Sequence, residues 1–328
     1  MTPDFQILLD GEDITEPFKD RLKSLVIVDE VGMKSDTAEI VVDDRDYLIE
    51  LPETGVRLEI SIGFKETGLT YMGAYTVDEI AGDYPVRTMT IKAKAADMLK
   101  TIRAPKTRAW EGKTLEEIVN QIAGDHGLRA AISDSLKPAF FGYLAQTAES
   151  DLNFLTRLAR DLDATAKPAG DALVVVKRGE GKSADGADLP AATVPASEIS
   201  NLTWKATGRG RYGRVTAEWS ELGAATVHQV TLGDADPTLK LRHRHATQAE
   251  AQRAAQSALD RSKRASGKLS ASLTGFLPDL YAEGLVTLPD IKPELRGEWL
   301  VNRVEHRLDS RLLTSFDAER DNEEKRDG

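Results

Sequence analysis

Trp110-Glu111-Gly112-Lys113-Thr114-Leu115-Glu116-Glu117-Ile118-Val119 begins a stretch unlike the rest of the chain, and Gln146-Thr147-Ala148-Glu149-Ser150-Asp151-Leu152-Asn153-Phe154-Leu155-Thr156-Arg157-Leu158-Ala159 completes it. In the first phrase Thr114 is placed as N-cap and Glu117 three residues on, a reciprocal capping box. Leu115, Ile118, Val119, Ile122 and Ala123 recur at the spacing of a helix buried on one side. His126-Gly127-Leu128 ends that helix, with Gly127 suited to a left-handed cap and His126 at the negative end of the dipole. In the second phrase Ser150 is the cap, Asp151 lies in the first turn, and Leu152, Leu155, Leu158, Ala159 and Leu162 form the stripe. Phe140-Phe141-Gly142-Tyr143 is a short aromatic segment between the two phrases. Gly170-Asp171 then turns into Ala172-Leu173-Val174-Val175-Val176, a short buried strand. Residues 105–178 thus read as a helix-rich α+β insert.

On both sides of it the pattern is β. Phe5 to Leu9 meets a turn at Asp10-Gly11, and Leu25 to Val28 precedes Ala38 to Val42. Val56 to Ile62 alternates apolar with polar, as do Tyr71 to Val77 and Val86 to Ala93. Short strands with regularly spaced turns predict a barrel or sandwich over 1–104. Residues 179–198, rich in Gly, Ala, Asp, Ser and Pro, read as a loop. From Ile199 the β pattern resumes through 317: Leu202 to Trp204, Arg214 to Trp219, Val227 to Leu232, Leu239 to His245, Leu269 to Leu273, Leu285 to Leu288, Trp299 to Leu308 and Leu312 to Phe316. Along Trp299 to Leu308, simple alternation puts Leu300, Val304 and Leu308 on one face, with Trp299 and Val301 on the other. One helix interrupts these strands at 247–265. It is capped by Thr247 with Glu250 as the box partner, and its inward face is Ala251, Ala254, Ala255, Ala258 and Leu259. Residues 318–328 read as a charged tail.

Composition narrows the function. The 328 residues suggest about two domains with their own cores, and the lack of cysteine excludes disulfides and thiolate metal sites. No run is long and apolar enough for a membrane anchor, and no secretion signal is apparent, so synthesis in a cytoplasm is expected. A formal charge of −11 argues against tight sequence-independent DNA binding, though not against passage of nucleic acid through a neutral or acidic duct.

Motifs that suggest chemistry are better explained by structure. Gly208-Arg209-Gly210-Arg211-Tyr212-Gly213 fits G-x-G-x-x-G, but a strand rather than a helix follows, so a hairpin loop is expected, with Arg209, Arg211 and Arg214 solvated. His243 and His245, with His228 or Glu250, offer imidazole and carboxylate groups but no defined third ligand, and exposed strand histidines are the simpler account. Glu149 and Asp151 are paired carboxylates, better explained by a helix start than by glycosidase chemistry. No nucleophile, base and oxyanion donor assemble, so neither catalysis nor a cofactor is expected.

The two opening phrases together resemble the late control protein D family of contractile phage tails and the hub part of VgrG proteins of secretion systems. Trp110, Gly112, Thr114, Leu115, Gln146, Glu149, Ser150, Asp151, Phe154, Leu155 and Leu158 carry the likeness. Gly297, Trp299, Val304 and His306, leading into Leu313-Thr314, extend it to the C-terminal hairpin. The resemblance implies a structural role for these residues and a mainly β fold, with two β-barrel domains flanking the insert. It also implies a homotrimeric baseplate hub in the virion, assembled in the host cytoplasm. Such a ring holds the hexameric tail tube on one side and the trimeric spike on the other, contacts other baseplate proteins, and gives DNA a channel. No needle repeat follows the hub part, which suggests a separate spike protein. Gly112-Lys113-Thr114-Leu115 with the second helix also resembles LysM modules, which implies an alternative: a tail protein that binds peptidoglycan through its insert.

Overall fold

The computed structural model describes residues 1–32, 36–95, 102–169, 172–180, 191–207, 211–220 and 226–320. The chain begins with β1 (Pro3–Leu9), a two-residue β2 (Glu12–Asp13) and one helical turn, α1 (Thr15–Phe18). Then come β3 (Leu22–Glu30), β4 (Thr37–Asp43), β5 (Arg57–Phe64), β6 (Gly68–Asp83) and β7 (Thr88–Lys94). Their apolar alternation is that of sheets with one wet face, and it buries Leu25, Ile27, Ile40, Leu58, Ile60, Val77 and Ile91 in one cluster.

The insert consists of β8 (Pro105–Thr114), α2 (Leu115–Asp125), β9 (Arg129–Ile132), β10 (Phe140–Ser150), α3 (Asp151–Asp161), β11 (Ala164–Ala169) and β12 (Ala172–Lys177). Both expected helices form with the expected caps: Thr114 and Glu117 make the reciprocal box, and Ser150 Oγ accepts from Asn153 N at 3.2 Å. The aromatic segment is the start of strand β10, which pairs with β8 and delivers the chain to Ser150. The turn expected at Gly170-Asp171 lies outside the described residues.

The remainder comprises β13 (Ala192–Thr193), β14 (Ile199–Ala206), β15 (Arg214–Trp219), β16 (His228–Gly233), β17 (Thr238–His245), α4 (Gln248–Arg264), β18 (Gly267–Leu273), β19 (Leu285–Leu288), β20 (Gly297–Leu308) and β21 (Leu312–Arg320). The small inward face of α4 packs on β15, β16 and β17 around Val215 and Ala217. Thr247 caps α4, but Glu250 does not close a box on it. Its carboxylate takes the N–H groups of Ala246 and Gly142 instead, which ties the helix to the insert. Strand β21 carries the chain three residues into the expected charged tail, because Ala318 is buried and Arg320 lies over Trp299 at 4.2 Å.

Most strands belong to one sheet with the order β14-β18-β21-β20-β3-β4-β7-β6-β5-β1-β2, with β19 beside β20 and β13 beside β19. The fold is therefore mainly β, but the path among the described residues is open, not two closed barrels. Strand β20 is the reason: it pairs β21 on one edge, while on the other it pairs first β19 and then β3. A second correction follows from a register shift between Val301 and Arg303. A bulge adds one residue and inverts the alternation, so Trp299 and Val301 share their buried side with Val304 and His306.

The strand order also contains a repeat that the sequence pattern alone does not show. The run β3-β4-β7-β6-β5 recurs as β14-β18-β21-β20-β19. Irregularities coincide too. The shift between Leu22 and Ser24 in β3 recurs between Ile199 and Asn201 in β14, and the one between Val77 and Glu79 in β6 recurs between Val301 and Arg303 in β20. Gly55 N donating to Val77 O at 2.8 Å has its counterpart in Glu283 N donating to Val301 O at 2.8 Å. On this register Gly73-x-Tyr75-x-Val77 matches Gly297-x-Trp299-x-Val301. Both glycines have positive φ, and the aromatic and valine side chains are buried. The copies differ where β1 runs antiparallel to β5 but β13 parallel to β19, and where β15 to α4 intervene only in the second.

Candidate functional site

Asp151, fully buried at the start of α3, anchors the insert. Strand β8 brings Lys106 and Arg108 to it by simple alternation, Lys106 Nζ at 2.7 Å and an Arg108 nitrogen at 2.5 Å. From the end of α2, His126 Nε2 lies 2.9 Å away. A bulge in β10 between Gln146 and Glu149, with Ala148 at φ +46°, directs Gln146 toward the same carboxylate. Its Nε2 donates to Asp151 Oδ1 (2.7 Å) and the Glu149 carbonyl (2.9 Å), and its Oε1 accepts from Arg108 Nε (2.9 Å) and Trp110 Nε1 (3.3 Å). A side-chain amide has two donors and one two-lone-pair acceptor, and all are used here. Burial pushes the Asp151 carboxyl upward, but the hydrogen bonds from Gln146, Lys106 and His126 and the charge of Arg108 outweigh it, lowering it to about 2.

The other motif residues support this knot. Trp110 stacks on Phe154 with centroids 5.7 Å apart, and the Arg108 guanidinium lies 4.3 Å over the Trp110 ring. Glu149 pairs with Arg157 at 2.9 Å rather than with a reacting partner. Leu115, Leu155 and Leu158 fill the core beneath, and Gly112 turns the end of β8 with φ +57°.

Gly297, Trp299, Val304 and His306 form a second cluster in the C-terminal hairpin. Trp299 Nε1 donates to Leu295 O at 2.9 Å, and His306 Nδ1 lies 3.0 Å from Thr314 Oγ1. The same hydroxyl oxygen accepts from Leu277 N at 2.9 Å. Burial lowers the His306 pKa to about 4, so its ring is neutral at ordinary pH.

A third group, not anticipated from sequence, joins the insert to the sheet. Lys167 of β11 reaches Asp29 of β3 at 3.4 Å, and Asp29 also accepts Ala282 N at 2.7 Å. Arg178 donates to Asn302, the bulge residue of β20, at 2.7 Å and to Glu319 at 3.1 Å. Arg264 of α4 pairs with Asp163. Burial, countered by Lys167 and reinforced by Asp29, raises Asp36 to about 7. Isolated charges on strands carry no periodic signature, so only their spatial convergence identifies this group.

The remaining candidates do not converge. His228 stacks on Trp219 at 4.5 Å, Glu250 holds backbone N–H groups, and no group of three or more His, Asp or Glu suited to a metal occurs among the described residues. Residues 208–210 of the glycine-rich loop lie outside the described residues, and Gly213 leads into strand β15. The three clusters hold elements together, which is the chemistry of a scaffold.

The phage tail baseplate hub (GPD) family model matches residues 73–312, and the chain belongs to that family. It is a structural protein of the phage tail baseplate hub. It is 30% identical to the probable baseplate hub protein of Escherichia phage 186, over 96% of this chain and 92% of that one. The counterpart in Escherichia phage P2 is 29% identical, over 97% and 93% of the two chains. Among solved structures the fold resembles the 43 kDa tail protein of prophage MuSo2 from Shewanella oneidensis, with a TM-score of 0.74 and 16% identity over 98% and 99% of the chains. It also resembles a component of the Escherichia coli type VI secretion system, with a TM-score of 0.57 and 13% identity over 96% and 76%.

Two outcomes follow. Asp151→Asn removes the anion from two cations and should lower unfolding free energy by about 3–5 kcal/mol in denaturant titrations; a loss below about 1 kcal/mol would show that the knot is not structural. For His306, whose folded pKa lies below the ordinary value of 6.5, the stabilisation of the neutral ring is complete above 6.5 and is lost as pH falls toward about 4. His306→Gln should therefore flatten the decline in stability across that window, and an unchanged slope would contradict the assignment.

Proposed function

We propose that three copies of this chain form a ring that joins the hexameric tail tube to the trimeric spike and leaves a channel for DNA. The repeated strand run carries this reading. Two near-equivalent runs per chain, taken three times, present six similar units to a sixfold tube while keeping threefold symmetry toward a spike. Closed cyclic contacts leave no unmatched surface within such a ring. The net charge of −11 suits a duct to which phosphates do not adhere. In this reading residues 1–104 and 199–317 are the ring-forming parts and 105–178 projects from the ring. The motif residues at Asp151 and Trp299 hold the insert and the C-terminal hairpin in shape, while Lys167 with Asp29 and Arg178 with Asn302 join insert to ring. Other baseplate proteins meet the outer surface, and assembly occurs in the host cytoplasm before incorporation into the virion.

The peptidoglycan-binding alternative has weaker support. Thr114 and Leu115, which carry the LysM likeness, serve a helix cap and the core.

Native mass spectrometry of the purified chain, alone and mixed with a spike protein of the same tail, tests the ring. A complex of three chains with three spike subunits is expected, whereas a one-to-one complex would overturn the threefold arrangement.

A further inference from the structure

Two strand edges in the repeated runs have no paired neighbour among the described residues. Among the described residues β14 pairs only with β18, and from Asp78 to Asp83 strand β6 pairs only with β7. Their counterparts do not share this condition. The part of β20 equivalent to that half of β6 is Arg303–Leu308, and it pairs antiparallel with β3, the equivalent of β14. One chain therefore contains a completed junction between runs and exposes both halves of a second.

We propose that a second copy of this chain completes it, with residues 79–84 of one copy pairing antiparallel to residues 202–207 of the next. This rests on the ring reading above and specifies the contact between its subunits. The shared bulges fix the register. Arg303 opposite Glu30 becomes Glu79 opposite Thr207, and Leu308 opposite Leu25 becomes Tyr84 opposite Leu202.

The side chains suit that register. On one face Ile80, Gly82 and Tyr84 meet Ala206, Trp204 and Leu202. Trp204 and Tyr84 are 48% and 80% exposed in the single chain, unusual for rings of that size. Trp204 falls opposite Gly82, where an aromatic ring covers backbone that glycine leaves bare. On the other face Lys205 falls opposite Ala81, diagonal to Glu79 and Asp83, within reach of both carboxylates. Neither segment contains proline, and Lys205 is the one charged residue in β14. An eight-residue edge strand so lightly guarded is a template for pairing. Each copy donates one edge and accepts on the other, a heterologous contact that closes into a ring. With three copies, every junction between runs is then the same strand pair.

The chain has no cysteine, so engineered pairs report cleanly. The full-length Ala81→Cys/Lys205→Cys variant, mildly oxidised, should give disulfide-linked dimers and trimers on denaturing gels that collapse with reductant. Moving the second cysteine to Thr203 should weaken linkage at least several-fold, because a two-residue slip places the thiols too far apart. Val28→Cys/Glu305→Cys, across the junction already present, should link within one chain and reports folding and oxidation. If native mass shows a multi-copy ring, and Val28/Glu305 links while Ala81/Lys205 does not, the subunits meet elsewhere: the strand pairing falls and the ring stands. If the chain stays monomeric at high concentration and with spike protein present, and no intermolecular link forms, both fall.

Discussion

Strand β20 cannot satisfy its backbone within its own half of the molecule. It is 12 residues long, while β19 covers only its first four. Beyond the bulge at Asn302 the remaining donors and acceptors need a partner, and β3 provides one from the other end of the sequence. An unpaired buried amide costs about as much as a lost hydrogen bond. The two β regions are therefore joined edge to edge through the backbone rather than packed as independent bodies. Cores follow from that joining: Leu308 and Leu312 belong to the cluster of the first region although they lie in the last hairpin.

The insert is held by a different force. It has its own apolar core beneath Trp110 and Phe154, but it meets the sheet through charged side chains: Lys167 pairs with Asp29, and Arg178 pairs with Glu319 and donates to the Asn302 amide oxygen. Charged contacts fix direction more sharply than apolar ones, since removing one partner leaves a buried charge. Arg178 grips the bulge of β20, while the matching bulge residue of β6, Asp78, pairs with Lys94 beside it. The insert thereby distinguishes two otherwise similar runs, and leaves the second edge open.

Much of this was legible in sequence because it is local. Caps at Thr114, Ser150 and Thr247 and the apolar stripes of the three long helices follow local patterns. They form as read, except that Glu250 turns from its expected box to the N–H groups of Ala246 and Gly142. The motif around Gln146 and Asp151 was visible as a pattern. Its meaning was not, because Lys106 and Arg108 approach from a strand 38 or more positions away. Faces of β20 were misread at one residue, since a bulge leaves no mark in hydrophobic alternation. The duplication is hidden for another reason: Gly73-x-Tyr75-x-Val77 and Gly297-x-Trp299-x-Val301 share only a glycine, an aromatic ring and a valine, and only the strand order and the matching bulges show them to be equivalent. Short strands with regular turns left barrel and sandwich open, and only the family resemblance implied closed barrels; closure is a property of edges, which single-strand patterns do not encode.

Amide hydrogen exchange along β3 and β14, in the single chain and in the assembled hub, tests the central claim most directly. Equivalent strands should behave differently in the single chain, with residues 25–30 protected throughout, while the alternate amides of 202–206 and 79–83 that face away from β18 and β7 exchange rapidly. Both open segments should become protected on assembly. Strong protection of those outward-facing amides of 202–206 in the single chain, or their rapid exchange after assembly, would contradict the account.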